Sequence, residues 1–168
     1  MDFCLQRLQD DIAAMTQGMS AEMLAQRPSS GKWSAAEILE HLYLTYTGTI
    51  RGFEKCLAAG KPLARTPTLQ DRARTLYVVG LGQLPEGRKA PSNSTPKGMP
   101  PEQVLREITA KIAAMDAVIS QAEEKFGKQA RLLDHPVLGP LSGPQWRKFH
   151  LVHGRLHIRQ LQRIRRHL

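Results

Sequence analysis

Cysteine is scarce in this sequence: Cys4 and Cys56 are the only two among 168 residues. That excludes a disulfide framework and a zinc site built from thiolates, and free thiols suit a reducing compartment. Any metal must therefore be held by nitrogen and oxygen. Aromatic residues make up 5% of the chain, which argues against an extensive sheet and, with abundant Leu, Ala, Gln, Glu and Arg, favours helices. No apolar run approaches the roughly 20 residues that a membrane span needs. The opening MDFCLQRLQDD lacks the basic and apolar regions of a signal peptide, so a cytoplasmic location is expected. What is present suits one domain over residues 1–168, with 41% hydrophobic residues and enough length to bury a core. The net charge of +9 raises the question of a phosphate-bearing partner.

The apolar pattern predicts four long helices. Leu5, Leu8, Ile12, Met15 and Met19 form one helical stripe, which Gly18 and Ser20 break or re-cap. Ser34-x-x-Glu37 is a capping box, and Trp33 before it is placed to staple against Ile38. The helix it opens runs to Ala59, where Gly60-Lys61-Pro62 stops it. Residues 61–101 hold most of the prolines and form a long excursion, with a short helix expected over Leu69–Val78. A connection of that length in a compact domain usually has a function, here the covering of one mouth of a pocket. Pro100 and Pro101 introduce a third helix carrying Val104, Leu105, Ile108, Ile112, Met115 and Ile119, ending at Gly127. A loop over 127–141 follows. Ser142-x-x-Gln145, with Pro144 in the first turn, opens the last helix. The expected fold is all-α, a four-helix bundle with a long crossover connection.

Three histidines stand out on these helices. With His153 as reference, Trp146, Phe149, His150, Leu156, His157, Gln160, Leu161 and Ile164 lie within about 80° of it. His153 and His157 thus point into the core one turn apart, where two imidazoles can share an ion if a third ligand comes from elsewhere. His41 is the natural third, on a face with Ile38, Leu44, Thr45, Gly48 and Gly52. The two glycines either let another helix approach or leave open volume beside a metal. A lone inward histidine is more often a hydrogen-bonded core residue, but three that converge leave a fourth position for water or substrate.

These motifs resemble the DinB-like metalloenzyme superfamily. The resemblance rests on Trp33-Ser34 followed by Glu37-Ile38-Leu39-Glu40-His41-Leu42, and on His153-x-x-x-His157-x-x-Gln160. Ala90-Pro91, the Pro100 helix start and His135-Pro136-x-x-Gly139-Pro140-Leu141 look like an uncharacterised subfamily, so the likeness spans nearly the whole chain. It implies a DinB-like bundle with a divalent ion, zinc or nickel, on His41, His153 and His157, and a homodimer. It also implies a small-molecule substrate and chemistry of a hydrolase or of a transferase using a low-molecular-weight thiol. Fold likeness alone does not fix the reaction.

Other residues carry less. Gly154 follows His153 where a zincin has glutamate, which removes the main support for a peptidase. His150 shares the inner face, where it would support a ligand or replace one, with core packing the better reading. Gln160, Thr45 and Gly48 are expected near the pocket; no residue is singled out as catalytic. His135 sits in a Pro-bounded turn with a structural role by default, and capping accounts for Glu37. Cys56 shares His41's face but lies about 22 Å along the helix. Lys148, Arg155, Arg159, Arg163, Arg165 and Arg166 flank or oppose the histidine face, where a bundle helix meets solvent. No helix-turn-helix, zinc finger or stacking platform accompanies them, so nucleic acid is possible but not favoured. Leu151 and Ile158 lie about 150° from the histidines, and are expected to pack on a neighbouring helix or form a dimer contact. Two functions follow: a metal-dependent enzyme acting through water or a small thiol, or a non-catalytic helical module with a structural metal and a basic face for nucleic acid or another acidic partner.

Overall fold

The structure is a computed structural model that describes residues 1–29, 31–85, 87 and 89–166. Its main elements are helices, and each long one begins where the sequence offers a partner for its free amide groups. The first, α1 (Phe3–Thr16), is capped by Asp2, whose carboxylate accepts from the Cys4 amide at 2.8 Å. It ends before Gly18, which adopts φ +77°, and Ser20 re-caps a five-residue helix, α2 (Ala21–Ala25), that buries Leu24. The Ser34/Glu37 capping box opens α3 (Ala35–Ala59), and left-handed Gly60 closes it. Arg27 pairs with Glu37 as well, tying the preceding loop to the cap. Pro101 starts α5 (Pro101–Phe126), and Gln145 reaches back to the Ser142 amide at 3.0 Å to open α6 (Gly143–Arg165). Between α3 and α5 lies α4 (Leu69–Thr75), capped by Thr68 and Asp71, which passes into a π-helical turn at Leu76–Gly80. A 3-10 turn, Ser92–Ser94, precedes the return to α5.

The expectation of an all-helical chain is corrected in one place. Residues 127–141 are not simply a loop, because β1 (Arg131–His135) and β2 (Gly139–Ser142) pair antiparallel. The hairpin buries Leu132, Leu138 and Leu141. Its prolines and short strands hide it from any alternating pattern, and tertiary burial decides its conformation instead.

The four long helices share one core. α3 packs on α5 and α1 on α6, while α5 also touches α1 and α6. Leu5, Leu8, Leu39, Leu42, Tyr46, Phe53, Ile108, Ile112, Met115 and Ile119 are within 1% of complete burial. Removing a leucine or isoleucine side chain from water contributes about 1.5–3 kcal/mol. Leu151 and Ile158 are buried in the single chain, on the stripe of α6 that carries Gly154. A methyl group at Gly154 would collide with Leu8, so the glycine is what lets α1 and α6 approach and cover this stripe. The packing of these two residues needs no dimer contact.

A second, polar core ties the same helices together. Arg147 on α6 is buried and donates to Asp116 at 2.6 Å, Glu123 at 2.7 Å and Ser120 at 2.8 Å, all on α5. Asp116 also accepts from the Asp2 amide at 2.8 Å, which fixes the start of α1. Part of the basic charge of α6 is likewise spent within the fold. Arg165 donates to the Ala14 and Met15 carbonyls at the end of α1, where a helix presents unpaired carbonyls and a negative dipole end. Both cysteines are free thiols, Cys56 buried with its Sγ against the Lys61 and Leu132 carbonyls. Among the described residues no helix is long and apolar enough to cross a membrane.

Candidate metal centre

His41 comes from the first half of α3, and His153 and His157 from the second half of α6, placed a turn apart on its inner face. Their Nε2 atoms converge. His41 Nε2 lies 3.3 Å from His153 Nε2, which lies 3.1 Å from His157 Nε2. One ligand atom from each of the three falls within 4.8 Å of the other two. The three rings are steeply inclined to one another, at interplanar angles of 76°, 61° and 86°.

The protonation of two rings is set by their outer partners. His41 Nδ1 donates to the Ser94 carbonyl at 2.7 Å, and His157 Nδ1 donates to Gln160 Oε1 at 2.8 Å. Both Nε2 atoms therefore carry lone pairs aimed at His153 Nε2. A single N–H on His153 satisfies at most one of them, and that tautomer leaves its buried Nδ1, which has no partner, as an orphaned acceptor. A cation at the convergence satisfies all three. Two imidazole nitrogens each about 2.0–2.1 Å from one tetrahedral zinc lie about 3.3 Å apart, which matches the two observed separations. Burial holds His41 below the ordinary imidazole range, partly offset by its bond to Ser94. Burial, and then the neighbouring His157 and His41, hold His153 well below it. His41 and His153 thus fit the neutral, nitrogen-donor form that a divalent ion requires.

The excursion between α3 and α5 supplies the acceptor for His41, a contact the sequence did not disclose. Glu40, buried beside His41, accepts from the amides of Lys97, Gly98 and Met99 at 2.7, 3.0 and 3.0 Å. It anchors the segment just after the 3-10 turn and so fixes Ser94 against the ring. Trp33 lies tilted against His41 at 5.1 Å between ring centroids, and Phe149 stacks on His153 at 5.5 Å and 8°. The tryptophan just before the capping box is thus part of the site's wall.

A cavity of about 1680 Å³ opens beside the three histidines, lined also by Trp33, Thr45, Gly48, Tyr77, His135, Trp146, Phe149 and Gln160. Gly48 faces open space, whereas a methyl at Gly52 would meet Leu133 of β1. The first glycine leaves volume and the second admits a close neighbour, a strand and not a helix. Thr45 lines the cavity, but its hydroxyl donates to the His41 carbonyl at 2.8 Å within α3. His150 stands apart from the three: it is wholly buried, its Nε2 is 3.1 Å from Thr49 Oγ1, and its ring stacks on Trp146. Burial pushes it down to about 3. It belongs to the packing behind the site and not to the ligand set. His135 is brought to the cavity by the hairpin, with its ring 4.3 Å from that of Phe149 between centroids. Cys56 takes no part.

Comparison with known proteins adds a family but no activity. The chain is 26% identical over 158 residues to an uncharacterized protein of Bacillus subtilis (strain 168), YuaE, covering 88% of this chain and 86% of that protein. No solved structure matches it. Residues 5–164 match the family described as protein of unknown function (DUF1569), which takes in all three histidines, and the chain belongs to that family.

Proposed function

We propose that the protein is a metal-dependent enzyme of the DinB-like type, acting on a small molecule through water or a small thiol. In this reading α1, α3, α5 and α6 are the four helices of the bundle, and residues 61–100 are its crossover. His41, His153 and His157 would hold a divalent ion, zinc or nickel. The observation that carries the reading is the meeting of three Nε2 atoms whose outer nitrogens are fixed by Ser94 and Gln160 in two of the three cases. Such a carboxamide or carbonyl partner orients a ligand ring and raises its basicity.

A divalent ion with an open position lowers the pKa of water or thiol, and so makes a nucleophile available at neutral pH. The chain's own residues do the rest. Trp33 and Phe149 hold the His41 and His153 rings against rotation, and the cavity beside them gives a reactant access from one side. The aromatic lining from Trp33, Tyr77, Trp146 and Phe149 excludes water around an apolar substrate body. A structural metal in a non-catalytic module fits less well, because structural sites are closed by four protein ligands and only three converge among the described residues. Arg165 and Arg155 also face α1, which reduces the basic face available to an acidic partner.

The test is metal analysis of purified protein alongside His153→Ala. About one zinc or nickel per wild-type chain, lost in the variant, is expected. Equal content in the two proteins removes the reading.

A further inference from the structure

The cavity carries a second set of polar groups that the metal site does not use. His135 ends β1, and its Nδ1 accepts from both the Val137 and Leu138 amides, each at 3.1 Å. An acceptor nitrogen has no proton, so the ring's proton sits on Nε2. That Nε2–H has no acceptor among the described residues, and His135 lines the cavity. Burial also keeps this ring neutral, down to about 4. The hairpin turn thus holds a fixed, uncharged hydrogen-bond donor in the cavity wall, one phenyl ring away from His153.

A cation is docked on the same turn. Arg74 of α4 donates through Nη1 to the Val137 carbonyl at 3.3 Å, which docks the guanidinium on the turn whose amides bind His135. Arg74 lines the same cavity and has no carboxylate partner among the described residues. Lys32 and Lys89 line the cavity with Arg74, and among the described residues that line it Asp134 is the carboxylate. Asp134 is already engaged, accepting from the Arg65 amide at 3.3 Å with the guanidinium of Arg65 at 3.8 Å.

We propose that His135 and Arg74 form a carboxylate-recognition point, so that the cavity takes a small organic acid with an apolar or aromatic body. This rests on the reading of the cavity as the substrate chamber. A neutral donor and a guanidinium held by the same turn suit the two oxygens of a carboxylate, and the tryptophan, tyrosine and phenylalanine rings suit the remainder. His135 here positions substrate, while the three inner histidines are left to the metal.

Titration of the purified protein with phenylacetate, and with 2-phenylethanol as its uncharged counterpart, tests the inference. His135→Asn is the informative variant, because the asparagine oxygen replaces Nδ1 as acceptor for the turn while the Nε2–H donor is lost. Phenylacetate is expected to bind at least 10-fold more tightly than the alcohol. His135→Asn should weaken it by about 10-fold, the scale of one hydrogen bond to a charged group, with metal content unchanged and the protein folded. Arg74→Gln should weaken phenylacetate and leave the alcohol unaffected. Absence of saturable phenylacetate binding, equal affinity for the alcohol, or wild-type affinity in His135→Asn each overturns the proposal. Metal content measured on the same samples separates the two readings. Protein without an ion that still discriminates acid from alcohol through His135 removes the metal reading and supports this one; a full metal site without discrimination does the reverse.

Discussion

Two buried polar clusters bind α6 to the rest of the molecule, and they differ in how far they satisfy themselves. Around Arg147 every charged group has an opposite partner at hydrogen-bond distance: Asp116, Glu123 and Ser120 receive its donors, and Asp116 takes the Asp2 amide as well. Around His153 three nitrogens approach one another with more lone pairs than protons to share. A closed network holds helices in register; an open one of like acceptors calls for something between them. The contrast separates a cluster that satisfies itself from one on the same helix that could hold an ion, with no appeal to motif.

Breaking each cluster should therefore have different consequences. Arg147→Met leaves Asp116 and Glu123 buried without their cation, and a loss of about 3–5 kcal/mol in urea unfolding is expected, with the histidines unaffected. A loss below about 1 kcal/mol would show that the carboxylates find water. The histidines should respond to pH instead. His135, at about 4, and His150, at about 3, are depressed by burial, and His41 and His153 are lowered too. The unfolded chain then binds more protons than the native one below its histidine pKa of about 6.5. Stability should be full above about pH 6.5 and decline as pH falls towards 4 and 3. Urea midpoints of metal-free protein between pH 8 and 4 check this, and a flat profile contradicts the burial of these rings.

Smaller changes sharpen the comparison within the histidine cluster itself. Gln160→Leu removes the acceptor that orients His157, and a 10–100-fold drop in zinc affinity is expected with the fold intact, measured by competition with a chelator. Unchanged affinity would reduce Gln160 to a bystander. Gly48→Ala should stabilise the protein by up to about 1 kcal/mol, since Gly48 is helical, faces open space and is a poor helix former. Gly52→Ala should not share that gain, because Leu133 must first move aside.

Much of the scaffold was legible in the sequence, because helix starts depend on local chemistry. The Ser34/Glu37 box, the Pro101 start and Gln145 behind Ser142 each act within three residues, and they placed α3, α5 and α6 closely. The three histidines were legible for the same reason, as inner positions of helices whose faces can be sorted. The hairpin was not, since its strands are too short and proline-rich to show a period. Ser94, Glu40 and Arg147 were also missed, because each acts on residues distant in sequence. Ser94 meets His41 from 53 residues away, and Glu40 holds the backbone of Met99 across 59. A buried arginine on a helix full of exposed ones carries no local mark of its difference. His135, read as a turn residue, does hold the turn; the cavity beside it becomes visible only when the hairpin and α6 are packed together.

Anomalous diffraction from crystals of the purified protein tests the central claim most directly. One divalent ion is predicted between the Nε2 atoms of His41, His153 and His157, on the side open to the cavity. Crystals soaked in zinc or nickel whose anomalous density lies elsewhere, with the three rings still in contact and no ion between them, would contradict it.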